Sequence, residues 1–299
     1  MPGGKGRGPH SGECNRSDGR VLPEVHLNDE TRKPQSKLLD WINQSGFPLQ
    51  IALAQQVAGT RTERGWKVKY TEHAWKNPKD GHEGFIDIVL EDASGAGALV
   101  LECKRALDSS WAFLLPDPKQ ASRRHVKVWL TWSGGRKSRH FGWHDITLSP
   151  STPQSQFCVV RGQDPRSVPM LERIAADLVS ATEALAAEES PYLNQSPENL
   201  RAYVSIIVTT ATLHVVQFDP ASISLDTGKI PDGQASEVPA VRFRKQLSVH
   251  APDLETGHQG DSHAVSLAKE HTVFIVNAVR FMDFLEQFEF DENAFRFLA

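Results

Sequence analysis

Two nearly continuous apolar runs, GFIDIVL (84–90) and ALVLECK (98–104), flank the turn composition Glu-Asp-Ala-Ser-Gly-Ala-Gly. Runs of β-branched and aliphatic residues bounded by turn signals mark strands buried on both faces. Such strands reject charge, because burying an unpaired carboxylate costs several kcal/mol. Yet Asp87 interrupts the first run, and Glu102 and Lys104 interrupt the second. Side chains alternate along a strand, so Val100, Glu102 and Lys104 share one face. With Ser94 and Gly95 at the centre of a tight hairpin, Asp87 stands directly opposite Glu102; a slip of a residue or two makes the pair diagonal. Facing carboxylates repel. A divalent cation on oxygen ligands, with Lys104 alongside, resolves the repulsion economically. The alternative is a half-exposed sheet in which both acids face solvent and Lys104 makes a surface ion pair. The apolar neighbours on both faces weigh against it.

The rest of the chain frames this hairpin. Residues 1–35 are rich in Gly, Ser, Arg and Asn and read as a flexible tail. Residues 36–299 read as a single domain. A helix is predicted over about 48–59, with Pro48 at its first position and Leu49, Leu53 and Val57 on one face. A strand, GWKVKYT (65–71), precedes the two apolar runs. MLERIAADLVSATEALAAEE (170–189) is the clearest helix, its apolar face marked by Leu171, Ile174, Ala175, Leu178, Val179 and Leu185. Strands YVSIIVTT (203–210) and TLHVVQF (212–218) follow, and the chain closes on strand HTVFIVN (271–277) and helix AVRFMDFLEQF (278–288). Residues 106–165, rich in Trp, Pro and basic clusters, read as an insertion with some strand character, and 250–263 as a loop. Helix, three strands, helix, strands, helix is the order of a mixed α/β sheet with helices on both faces.

Composition narrows the function classes. Basic and acidic side chains number 33 and 37, a net charge of −4, which argues against a nucleic-acid-coating protein but permits an enzyme with a local basic cleft. No run approaches the roughly 18 apolar residues of a membrane helix. The three cysteines lie far apart without a CxxC pair, which fits a reducing, cytoplasmic compartment. There is no GKS/T phosphate loop.

Asp87 in GFIDIVL and Glu102-Cys103-Lys104 in LVLECKR, on this order of elements, make the chain resemble the PD-(D/E)xK, or restriction-endonuclease-like, nuclease superfamily. The resemblance covers residues 40–105 and 168–218, leaving 106–165 as an insertion and 219–299 as a C-terminal extension. It implies a central mixed β-sheet flanked by helices and a Mg²⁺- or Mn²⁺-dependent nuclease acting on nucleic acid, DNA favoured, in bacterial restriction or antiviral defence. It implies that Asp87 and Glu102 are the metal carboxylates, the Cys103 carbonyl a further ligand, and Lys104 the residue that positions or activates the attacking water. Many members carry a Glu on the first helix, where this chain has Gln50, and a Pro before the Asp, where it has Ile86. With no helix-turn-helix in sight, a protein partner supplying targeting or activation fits the resemblance, and so does a homo-oligomer. The alternative function is a catalytically weak or inactive subunit that binds nucleic acid or scaffolds a larger complex.

Weaker signals remain. Pro116-Asp117-Pro118-Lys119 mimics the motif, but its prolines exclude it from a central strand. His140 and His144 have zinc-ligand spacing if helical, although Phe141, Gly142 and Trp143 favour a loop. Arg123, Arg124, Lys127, Arg136, Lys137 and Arg139, interleaved with Trp129, Trp132 and Trp143, form a candidate nucleic-acid-binding surface, or the charged face of an insertion packed by its own tryptophans.

Overall fold

The computed structural model describes residues 29–79, 81–107, 109–134, 138–163, 169–192, 200–248 and 262–291, without the side chains of 29–36, 132–141 and 262–264. The chain divides into two compact units, Met1–Trp41 and Ile42–Ala299. The described part of the first is helical, within α1 (Asp29–Gln44). This helix starts ahead of Ser36, inside the segment expected to be a tail; residues 1–28 lie outside the described residues.

The second unit opens with α2 (Phe47–Gly59), which has Pro48 in its first turn and Gln50, Leu53 and Val57 as its buried stripe. A meander follows: β1 (Lys67–Lys76), β2 (Glu83–Glu91) and β3 (Gly97–Lys104), antiparallel throughout. The expected insertion is largely strand, with β4 (Ser110–Leu115), β5 (Arg123–Gly134), β6 (Ser138–Thr152), β7 (Gln154–Ser155) and β8 (Cys158–Val160). Then come α3 (Met170–Glu189), β9 (Leu200–Thr209), β10 (Thr212–Gln217), β11 (Gln234–Glu237) and β12 (Ala240–Gln246). The described chain ends with α4 (Ser262–Lys269), β13 (Glu270–Asn277), α5 (Phe281–Gln287) and β14 (Glu289–Phe290). The helix expected over 278–288 is thus shorter, its first residues forming a 3₁₀ turn. The loop expected over 250–263 lies mostly outside the described residues.

The principal sheet runs β1-β2-β3-β9-β13-β12-β7 and is mixed: β3, β9 and β13 are mutually parallel, β1–β2, β2–β3 and β13–β12 are antiparallel, and the short edge strand β7 runs parallel to β12. It forks at β9. The second half of that strand pairs with β13, while its first half pairs, on Trp129–Trp132, with β5, which carries β6. The supposed insertion is therefore integral to the sheet. The reason is visible in its alternation: Val126, Val128 and Leu130 are buried. A second, four-stranded sheet runs β11-β10-β4-β8.

Apolar packing covers both faces of the principal sheet. On one, Val89, Val100, Tyr203, Ile207, Val273 and Ile275 meet the broad apolar face of α3. On the other, Ile88, Leu99, Leu101, Val204, Ile206 and Val208 meet Leu53 and Val57 of α2 and Phe281, Phe284 and Leu285 of α5. Each such side chain contributes about 1.5–3 kcal/mol on full burial, so the middle of the meander is firmly held. Among the described residues no helix is long and apolar enough to cross a membrane.

Candidate active site on the β2–β3 hairpin

The expected register is present: Ile88 pairs with Leu101 and Leu90 with Leu99. The turn itself is wider than a two-residue hairpin, closing with Asp92 N–H on Gly97 O and Gly95 N–H on Asp92 O. The paired ladder stops at Ile88–Leu101, so the hairpin opens at the next positions, Asp87 and Glu102. There the Asp87 carboxylate takes over the work of the backbone: its Oδ2 accepts from the Cys103 N–H at 2.6 Å. A side chain fills the place of a carbonyl in the ladder.

On the other side of β2, Thr71 pairs with Ile88 and His73 with Ile86, which leaves Glu72 opposite Asp87. Glu72 has φ 50, in the left-handed region that costs an L-residue roughly 1–2 kcal/mol. The backbone turns over here. Ile88 belongs to the core against α2, whereas Ile86, two residues away, belongs to the core against α3. In β1 the same reversal lets the Tyr70 and His73 rings stack at 4.6 Å and brings His73 Nε2 within 3.1 Å of Glu188 on α3. Asp87 sits at this crossover, in a row Glu72, Asp87, Glu102 across three strands. Burial first, then the Glu102 carboxylate and more weakly that of Glu72, push the Asp87 carboxyl up to about 6, against the pull of the Cys103 N–H and Lys104.

Gln50 is buried, and its Nε2 donates to the Asp87 backbone carbonyl at 2.8 Å. The first-helix position thus reaches the site, through the main chain of Asp87. The N-terminus of α2 also approaches β3, where a Cβ on Gly46 would stand 3.6 Å from the Cys103 carbonyl oxygen. The Cys103 side chain is buried in the α2 core, and burial raises its thiol far above the ordinary range, so it is inert packing. Lys104 and Glu102 share a face, and their Nζ and Oε1 lie 2.5 Å apart, half-buried. Both line a cavity of about 330 Å³ between the hairpin and α3, with Arg173 and Asp177 from α3 and Trp75 and Ile86 from the strands. Asp87 is not part of this lining, although its chain neighbour Ile86 and the facing Glu102 are.

The donor set can be tested against the divalent ion that the resemblance implies. Among the described residues no group of three or more His, Cys, Asp or Glu side chains is gathered closely enough to hold a metal. The hairpin offers two carboxylates and a carbonyl, all hard oxygen donors. That set is too small and too hard for zinc. It suits an ion such as Mg²⁺, which is bound by one or two carboxylates and keeps several waters, and the repulsion that raises Asp87 is what a cation there would relieve.

Other expected residues fall elsewhere. Lys127 is buried on β5, its ammonium donating to the Leu267 carbonyl and its pKa lowered by burial, so it does not face a polyanion. Arg124 is exposed and pairs with Asp291 at 3.4 Å, and Arg123 opens β5. Arg136 and Lys137 lie outside the described residues, as does the side chain of Arg139. His140 and His144 stand in β6, opposite Trp132 and Val128, so the loop expected there is a strand and the helical zinc spacing does not arise. Pro118–Ala121 is a 3₁₀ turn capped by Asp117, whose Oδ1 accepts from Lys119 N–H at 2.9 Å. Sequence reasoning missed Glu72, which lay beyond the expected end of β1, and Arg173 and Asp177, whose helical spacing signals only the polar flank of α3.

Comparison with protein-family models, curated proteins and solved structures yields no match to this chain.

Proposed function

We propose that this chain is a metal-dependent nuclease that hydrolyses phosphodiester bonds, DNA favoured over RNA. The observation that carries the reading is the opening of the β2–β3 hairpin at Asp87 and Glu102, with Lys104 paired to Glu102 on the face they share. The succession α2-β1-β2-β3 and then, after the intervening β4–β8, α3-β9, with β3 and β9 parallel, supports it as the core of a restriction-endonuclease-like fold.

Asp87, Glu102 and the Cys103 carbonyl would hold Mg²⁺ or Mn²⁺. The ion, when bound, supplies Lewis acidity at the phosphoryl oxygen and lowers the pKa of a bound water. Gln50 fixes the Asp87 backbone and so the aim of its carboxylate. Lys104, steadied by Glu102, places positive charge where the transition state gains negative charge. Arg173 offers a fork for a phosphate oxygen in the adjoining cavity. By analogy with the superfamily, a targeting partner and a role in restriction or antiviral defence accompany this activity.

The second reading, a catalytically silent nucleic-acid-binding or scaffolding subunit, draws on Gln50, whose amide is spent on a carbonyl where a third carboxylate would strengthen ion binding. One assay separates them: purified protein with plasmid, linear duplex, single-stranded DNA and RNA, each with Mg²⁺, Mn²⁺ or EDTA. Divalent-dependent cleavage that Asp87→Ala and Glu102→Ala each abolish supports the nuclease. No cleavage of any substrate with either ion, alongside retained nucleic-acid binding, supports the silent subunit.

A further inference from the structure

Beside the Glu102–Lys104 cavity lies a second one, of about 190 Å³, and His82 and Asp177 line both. Its deep wall is His271 of β13, 1% exposed, with neither ring nitrogen hydrogen-bonded among the described residues. Buried polar groups are almost always paired, so an imidazole with two open nitrogens facing a cavity asks for a partner that fills it. The Trp143 ring meets His271 edge to face, with centroids 4.5 Å apart, and makes an aromatic side wall. Trp143 is itself anchored, its Nε1 donating to Glu183 Oε1 at 2.7 Å.

The charge of the lining selects the ligand. Lys79 pairs with Glu183 at 3.3 Å and Asp177 adds a further carboxylate, so the lining sets two carboxylates against one ammonium and disfavours an anion. The adjoining cavity carries Lys104 and Arg173 and suits one. His271 offers one donor and one acceptor when neutral, and burial with nearby Lys127, Arg244 and Lys79 holds it neutral by pushing its pKa down to about 3. For scale, an apolar cavity of about 150 Å³ takes up benzene. The occupant is therefore a neutral, planar ring with both donors and acceptors, attached to a phosphate that rests outside.

We infer that the His271–Trp143 cavity receives one unstacked nucleobase of the substrate while its phosphate lies at Lys104 and Arg173. The inference rests on the nuclease reading for the phosphate, but not for the base. With Glu183 engaged by Trp143 and Lys79, the Asp177 carboxylate is the acceptor on the wall that favours an exocyclic amine, hence cytosine over uracil.

Calorimetric titration of the full chain with cytidine, uridine, ribose and inorganic phosphate, without divalent ions, tests it. The expected result is saturable one-to-one binding of cytidine, tighter than uridine, with neither ribose nor phosphate competing. His271→Leu should weaken it at least tenfold. Ala176→Phe, which fills the cavity from a half-buried position on α3, should do the same while leaving His271 itself in place, and so guards against a misfolded His271 variant. Absence of saturable cytidine binding, or unchanged binding in a folded Ala176→Phe variant, overturns the inference. If cytidine binds and no nucleic acid is cut, the base site stands and the nuclease reading falls. If DNA is cut but no nucleoside binds, the reverse holds.

Discussion

At Asp87 the chain places a carboxyl where ionisation is costly. A folded-state pKa near 6 against an ordinary value of 3.8 means that the folded protein holds this proton more tightly than the unfolded chain does. The resulting stabilisation is complete below pH 3.8 and is lost as the pH rises through 6, so at neutral pH the ionised group burdens the fold. Asp87→Asn keeps an oxygen to accept from Cys103 N–H and removes the charge. In the absence of divalent ions it should therefore raise stability at pH 7–8 by about 1–3 kcal/mol, an effect that fades toward pH 4. Thermal melts across that range, with and without Mn²⁺, read the sign, and the ion should stabilise the wild type while leaving Asp87→Asn unmoved. Lys104 differs. Its pair with Glu102 is partly solvated, and such pairs contribute roughly 0–1 kcal/mol. Lys104→Ala should melt close to wild type and lose cleavage; a variant that melts early yet cuts at the wild-type rate once folded would remove Lys104 from the chemistry.

At the scale of elements, α2 acts as a strut between Gly46, near the Cys103 carbonyl, and Gln50, bonded to the Asp87 carbonyl. Gln50→Glu replaces a donor with an anion facing that carbonyl. It should cost about 1–3 kcal/mol, the usual penalty for breaking a buried hydrogen bond, and divalent ions should restore part of the loss while binding at lower concentration. Denaturant melts against Mg²⁺ concentration measure both effects. The elements most legible in the sequence were β3, the second half of β2 and α3, whose burial follows a regular enough pattern to be written in apolar residues; the first half of β2 is largely exposed, Phe85 included. The register was legible too, since Ser94 and Gly95 centre the loop whatever its exact width. Elsewhere a competing term hid the pattern. Lys127 and Trp129 between Val126, Val128 and Leu130 obscured β5, because Lys127 is buried and Trp129 half-buried on the face where alternation predicts solvent. Glu72 was hidden because a left-handed residue reverses the two-residue rhythm on which a strand is recognised. Pro34 and the polar composition concealed α1.

For the molecule as a whole, the fork at β9 makes the middle of the chain indispensable. Trp111 and Phe113 of β4 lie in the core beneath α3, and β5 covers the first half of β9. Replacing residues 110–160 with a short flexible linker should yield a chain without a cooperative melt, as followed by circular dichroism; a folded product would return the segment to the status of an insertion. A different consequence follows from the parallel pairing of Glu102 with Ile207. The inner edge of β3 finds its neighbour only after about a hundred further residues have left the ribosome. Until then a flat apolar edge, Leu99 and Val100 at its centre, presents open backbone donors and acceptors to any other nascent copy. Closing so distant a contact is slow, and slow closure lengthens that exposure. The same strand that gathers the candidate carboxylates thus sets a kinetic hazard, and refolding yield should fall steeply with protein concentration and recover when a chaperone shields the edge.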